Sequence, residues 1–185
     1  MKNQTCCFTG HRAIPAQERD SIFMALRNAI QNLVLEGYRY FGTGGALGFD
    51  TLAAQAVLSL RGDFPYIKLI LVLPCKDQAS RWKDTDRKVY EEIKNRADKV
   101  VYISERYTPD CMFHRNRHLV DCSSTCVCYL TQKCGGTAYT VEYAHKHGLR
   151  VINIVNQYPK DILHSKECGA YQNTAIPSIY TQTIL

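Results

Sequence analysis

Three short segments set glycines where an apolar run gives way to a helical pattern: FTGHR at 8–12, GTGGALGFD at 42–50 and GGTAYTVEYA at 135–144. A fourth, FHRNRH at 113–118, presents two arginines one residue apart. In an open α/β sheet the strand ends lie side by side. Glycines at several of them let backbone N–H groups approach an anion at helix N-termini. The arginines point to phosphate as that anion.

The pattern between these segments alternates strand and helix. Cys6 to Thr9 reads as a strand, and Ala16 to Glu36 repeats Ile22, Phe23, Leu26, Ile30, Leu33 and Val34 at helical spacing before Gly37. Further strands are expected at Tyr38 to Phe41, Lys68 to Leu73 (closed by Pro74), Val100 to Ile103, Thr125 to Leu130 and Val151 to Val155. Helices are expected near 50–60, 85–97, 110–122 and 137–147. Such a βαβ rhythm implies an α/β fold, a Rossmann-like open and mostly parallel sheet with helices on both faces. The pattern fades from Asn156, so residues 1–155 are read as the domain and 156–185 as a C-terminal extension.

At 185 residues the chain suits one domain with a sizeable core. Its apolar runs are too short to span a bilayer and its first residues lack a signal-peptide core, so a cytoplasmic protein without membrane association is expected. The net charge of +6 suits an anionic ligand or nucleic acid, although the charges of residues 82–99 mix signs as a solvated helix face does. Nine cysteines invite a metal or disulfide reading. Cys122, Cys126, Cys128 and Cys134 contain no C-x-x-C pair, and Cys126 and Cys128 share one face of a strand, as buried small hydrophobes do. His114 and His118 have a zinc-compatible spacing but lack the acidic residue of H-E-x-x-H. Neither a metal nor a cofactor is expected.

The glycines at 42, 44, 45 and 48 match neither G-x-G-x-x-G nor a P-loop, which removes support for a conventional NAD enzyme or a P-loop NTPase. Asp50 has two readings, helix N-cap or acceptor for a ligand hydroxyl; as an anion it would not contact phosphate. On a helix Arg115 and Arg117 stand ~200° apart at ~100° per residue, so one can enter a pocket while the other reaches a flank or a partner. At a helix entry turn both could converge. Thr137 and Thr140 suit a helix cap or a phosphate contact, and Glu142 suits ribose hydroxyls or acid/base chemistry.

In order and spacing, GALGFDTLAAQAVLSL, ISERYTPDCMFHRNRHLVDCSS and GGTAYTVEYAHKHGLRVINI resemble the Rossmann-like core of the SLOG superfamily, which includes DprA and the LOG phosphoribohydrolases. FTGHR, Gln78 and Trp82 of DQASRW, the RNR at 115–117 and the GGT at 135–137 resemble its YpsA-like branch. The resemblance covers roughly residues 5–155. It implies a pocket for a nucleotide or nucleotide-derived ligand at the carboxyl ends of the strands. The candidate ligand-binding residues are Gly10, His11, Arg12, Gly42, Gly44, Gly45, Gly48, Asp50, Gln78, Trp82, Arg115, Asn116, Arg117, Gly135, Gly136, Thr137 and Thr140. Trp82 is a candidate base-stacking platform, and Arg117 and Glu142 correspond to the LOG catalytic arginine and glutamate.

LOG enzymes carry P-G-G-x-G-T-x-x-E, whereas here Cys134 replaces the proline, Ala138 replaces the next glycine and Thr140 is displaced by one position. The expectation is therefore a nucleotide-binding or sensing protein, compatible with homo-oligomerisation. The alternatives are hydrolysis of the N-glycosidic bond of a nucleoside 5′-monophosphate, and weak binding of single-stranded nucleic acid in the manner of DprA.

Overall fold

The computed structural model describes residues 1–157. The extension expected over 156–185 lies, from residue 158 onward, outside the described residues. Six strands, β1 (Thr5–Gly10), β2 (Tyr40–Thr43), β3 (Lys68–Cys75), β4 (Lys99–Ser104), β5 (Thr125–Tyr129) and β6 (Arg150–Asn153), alternate with five helices. These are α1 (Arg19–Leu35), α2 (Phe49–Ser59), α3 (Asp84–Arg96), α4 (Cys111–Asp121) and α5 (Gly135–Lys146). The strands pair in the order β4-β3-β2-β1-β5-β6, and every pairing is parallel. The chain builds outward from β1 to β4 and then returns to the other side of β1 for β5. The sheet order thus reverses between β1 and β5, where open α/β sheets form a crevice at the strand ends.

Side-chain alternation along the strands produces two cores. Phe8, Phe41, Leu69, Leu71, Leu73 and Val127 pack against α1, α2 and α3, while Cys7, Val72, Cys126 and Cys128 pack with Leu119, Val120, Val141 and Ala144 of α4 and α5. Small thiols let the helices on that face lie close, and burial pushes the Cys128 thiol up to about 12, so it stays neutral. Cys126 is likewise buried and free, whereas Cys122 is exposed and Cys134, at the entry to α5, is disulfide-bonded. The buried-thiol reading therefore fits two members of the four-cysteine group, not all of them.

Two boundaries differ from expectation for identifiable reasons. β3 continues through Pro74 to Cys75 because β2 ends opposite Leu71, leaving no partner on that side for the missing N–H. β2 begins at Tyr40 because Tyr38 still belongs to the turn after α1, its N–H donating to the Leu33 carbonyl at 2.9 Å. α3 has the solvated mixed-charge face the sequence suggests: Arg87 pairs with Asp84, Lys94 with Glu91 and Arg96 with Glu92, and only Tyr90 and Ile93 are buried. No helix among the described residues is long and apolar enough to cross a membrane.

Gly42 of β2 lies directly beneath α4, where an added Cβ would stand 3.0 Å from Leu119 Cδ2. Gly42→Val should therefore destabilise the fold by about 1–3 kcal/mol through overpacking. Gly62→Ala, with nothing within 4 Å of its new methyl, should stay within about 0.5 kcal/mol of the parent. Denaturant unfolding of the two variants checks the difference.

Candidate functional site

A cleft of about 340 Å³ opens at the point where the sheet order reverses. Its walls come from four places in the chain. The end of β1 and the following turn supply Phe8, Thr9, Gly10, His11 and Arg12; the β2–α2 loop and first helical turn supply Ala46 and Asp50. α4 contributes Met112, Arg115 and Asn116, and the first turn of α5 contributes Gly136 and Thr137. FTGHR, the glycine loop, RNR and GGT thus converge on one concavity although they lie far apart in sequence.

The floor is an ion pair. Arg115 Nη1 lies 3.1 Å from Asp50 Oδ2, with the two side chains only 8% and 7% exposed. The same Oδ2 accepts the Ala46 N–H at 3.2 Å. Asp50 is therefore not the N-cap of α2, a position taken by Gly48; its carboxylate holds the glycine loop and neutralises a buried arginine. Burial pushes the Asp50 carboxyl upward, and the Arg115 guanidinium and the Ala46 N–H pull it back. Burial likewise lowers Arg115 from its ordinary value, opposed by Asp50. With the Ala46 N–H and Arg115 Nη1 both donating to Asp50 Oδ2, the ionised form is the one this geometry holds. Arg115 fits there because Gly44 has no side chain: a Cβ at that position would overlap Nη1 at 1.0 Å.

Arg12 differs from Arg115 in having no acidic partner among the described residues; its one polar contact is with Met112 Sδ, at 3.8 Å. Its turn is fixed by Gly48, whose φ of +75° and lack of a side chain admit the Arg12 carbonyl, 2.1 Å from where a Cβ would stand. The Phe49 N–H donates to the His11 carbonyl at 3.1 Å, tying the same turn to α2. His11 Nε2 accepts the Thr131 N–H at 3.1 Å, so the neutral ring carries its proton on Nδ1, and burial lowers its pKa in the same sense. Beyond them, α5 begins without a side-chain cap, so its first N–H groups face outward beside Gly136 and Thr137.

Other candidate residues support the cleft rather than line it. Gly42 lies under Leu119, while Gly10, itself part of the cleft wall, also lies under the Phe49 ring, 2.3 Å from an added Cβ. Gln78 Nε2 donates to the Gly45 carbonyl at 2.7 Å, bracing the glycine loop, and Trp82 packs edge-on to Tyr90 at 5.3 Å. Thr140 donates to the Gly136 carbonyl and accepts from Asn116 Nδ2, both at 2.8 Å, which locks α5 to α4. Gly135, with φ +86°, starts α5.

Arg117 and Glu142, carried over as the catalytic pair, are not among the residues lining this cleft. On α4 the ~200° separation sends Arg115 inward and Arg117 outward, where Nε donates to the Tyr139 hydroxyl at 2.7 Å. Glu142 is 66% exposed and pairs with Lys146 one turn on, at 2.7 Å, which holds its carboxyl below the ordinary value. Met112, whose sulfur meets both Arg12 and Arg115, was missed from sequence, and nothing in an isolated methionine signals such a role. Among the described residues no cluster of three or more His, Cys, Asp or Glu side chains is placed to hold a metal.

With this geometry in view, comparison with known proteins gives a consistent result. The family model described as YspA SLOG family matches residues 7–166. The UPF0398 protein of Halalkalibacterium halodurans is 34% identical over 125 residues, covering 66% of this chain and 66% of that protein. A UPF0398 protein of Bacillus thuringiensis (strain Al Hakam) is 30% identical over 132 residues, covering 70% of this chain and 72% of its own length. Among solved structures, DNA processing protein A from Helicobacter pylori shares the fold at a TM-score of 0.59 and 17% identity, over 84% of this chain and 71% of that one. The structural-genomics target TM1055 aligns at a TM-score of 0.51 and 17% identity, over 80% and 72% of the two chains.

Arg115→Ala should cost about 3–5 kcal/mol, because it strands the Asp50 carboxylate in the interior. The double change Asp50→Leu with Arg115→Met should recover most of that loss. Urea unfolding of the single and double variants provides the comparison; equal losses in both would mean the pair is not what holds the two helices.

Proposed function

The chain belongs to the YspA SLOG family, and from that premise we propose that it binds a nucleotide or nucleotide-derived small molecule in the cleft between β1 and β5. One observation carries the reading: the cleft combines Arg12, a guanidinium without an acidic partner among the described residues, with the uncapped start of a 12-residue helix. Helix N-termini and arginines are complementary to phosphate oxygens. Arg115 is already neutralised by Asp50, so Arg12 and α5 take the phosphate. A volume of about 340 Å³ suits one nucleotide-sized ligand.

Binding or sensing is favoured over hydrolysis. The glutamate that a LOG-like mechanism would use faces solvent in an ion pair with Lys146, and Arg117 engages Tyr139. Neither is positioned in the cleft of this chain to act on a glycosidic bond.

A second reading, binding of single-stranded nucleic acid, is favoured by a different surface. Phe113, Tyr139, Tyr143 and His147 form a file of rings along α4 and α5 with centroid separations of 5.1, 6.3 and 3.9 Å. The Arg117 guanidinium lies over Tyr139 and Tyr143. Aromatic rings beside arginine are the elements of base-stacking surfaces. DNA processing protein A of H. pylori is described as binding single-stranded DNA.

Gly136 offers a clean test of the cleft, because an added Cβ there meets nothing within 4 Å. Gly136→Val should leave the unfolding midpoint of the free protein within about 2 °C, a change below ~0.5 kcal/mol, while weakening calorimetric binding of nucleoside 5′-monophosphates at least about tenfold, since it fills space beside the phosphate site. Unchanged affinity would move the ligand elsewhere.

Incubation with nucleoside 5′-monophosphates, followed by chromatography, should release no free base. Release that is abolished in Glu142→Gln would establish the hydrolase instead. Any binding to an oligonucleotide should be weak and fall with salt at about −0.7 in log–log slope per phosphate neutralised. Sub-micromolar binding at physiological salt, lost in Arg117→Ala and not displaced by mononucleotides, would favour the ring file over the cleft.

A further inference from the structure

We propose that Met112 is a site of reversible oxidation by hydrogen peroxide, and that its sulfoxide closes the cleft to anions by capturing Arg12. The effect on a nucleotide rests on the reading above; the modification and the capture do not. The inference comes from where the thioether stands. Met112, in the first turn of α4, lines the cleft and is partly exposed there. Its Sδ lies 3.8 Å from Arg12 Nη2, which reaches it from the turn after β1, and 3.9 Å from Arg115 Nη2 on the same helix. Arg115 is neutralised by Asp50, whereas Arg12 has no acidic partner among the described residues. A thioether is a weak acceptor, so its contact leaves the Arg12 guanidinium available to an incoming anion.

Oxidation turns this weak acceptor into a strong one at the same place. A sulfur lone pair attacks one oxygen of hydrogen peroxide and the O–O bond breaks. The departing hydroxide takes the proton of the transferred hydroxyl and leaves as water, so sulfur is oxidised to the sulfoxide and the peroxide is reduced. Arg12, beside the sulfur, supplies a positive charge where the hydroxide departs, which favours the step. The S=O group is polar, and with Arg12 Nη2 already at the sulfur it accepts a charge-assisted hydrogen bond from that guanidinium. Because the oxygen is fixed on α4, it competes with a phosphate from an intramolecular position, and a ligand must displace it first. Methionine sulfoxide reductases return the thioether. A leucine would fill the same wall at nearly the same volume but offers no atom to oxidise. The other two methionines, Met1 and Met24, are 90% and 54% exposed, so exposure alone ranks both ahead of Met112.

The test treats the full chain with hydrogen peroxide and follows each methionine by peptide mass spectrometry. Met112 should gain one oxygen at least as fast as Met24. In the oxidised protein, modification of Arg12 by phenylglyoxal should slow at least about threefold, and methionine sulfoxide reductases should restore its rate. Calorimetric binding of nucleoside 5′-monophosphates should weaken at least about tenfold on oxidation. In Met112→Leu, peroxide should change neither the Arg12 labelling nor the affinity. Met112 still reduced when Met24 is fully converted would overturn the inference. So would a sulfoxide at Met112 that leaves Arg12 labelling unchanged, or one that slows labelling without weakening a nucleotide that binds the untreated protein. Slowed labelling in a protein that binds no nucleotide in either state would uphold the oxidation site and its capture of Arg12 and overturn the nucleotide reading instead.

Discussion

The ion pair between Asp50 and Arg115 joins parts of the molecule that otherwise share little. α2 packs on one face of the sheet and α4 on the other, so their contact must pass around the carboxyl edge of the strands. Asp50 in the first turn of α2 and Arg115 in the second turn of α4 meet there across Gly44. Removing two charges from water is costly, and apolar substitutes would hold the helices at least as well. Stability alone therefore does not explain the pair. Its position beneath the cleft fixes the glycine loop and the first turn of α2 against α4, with an orientation that an apolar contact would not specify.

The same pair sets the electrostatics around it. With Arg115 compensated, the positive potential of the cleft rests on Arg12 and the start of α5, and both lie at its rim rather than its floor. A ligand with its anionic end at the rim matches this division. The reverse orientation would bring a phosphate against Asp50. Two arginines in one motif thus have opposite duties, set by 200° of helical rotation: one is buried as part of the site's frame, and the other stands on an exposed ring surface.

Much of the architecture was legible in the sequence. Alternating apolar runs and helical periodicities specified six strands, five helices and a parallel sheet, and the glycine segments marked the strand ends that converge. The element ends were less legible. Pro74 stays within β3 only because β2 stops short of it, a fact of sheet registry that no local window contains. The candidate catalytic glutamate illustrates a further limit. Thr137, Thr140, Val141 and Ala144 define the buried side of α5, and Glu142, five residues after Thr137, is rotated about 140° from it at 100° per residue. Motif spacing carried a residue type to the right helix, but the face was decided by which neighbours the core claims.

The glycines carry a related lesson about what such motifs encode. A glycine-rich loop invites the view that the ligand needs the space. At Gly10, Gly44 and Gly48 the space is filled by protein: the Phe49 ring, the Arg115 guanidinium and the Arg12 carbonyl. Gly136 alone among the cleft-lining glycines has open space where a side chain would be. The other glycines bring backbone and charged groups into close register during folding, so the donors around the cleft are in place before any ligand arrives. Such preorganisation lowers the ordering cost of binding and sharpens discrimination, because a rigid donor or acceptor cannot move to accommodate a ligand that lacks its partner. It follows that the shape of this cleft depends less on the glycine at its open side than on the two buried charges that the other glycines allow to meet.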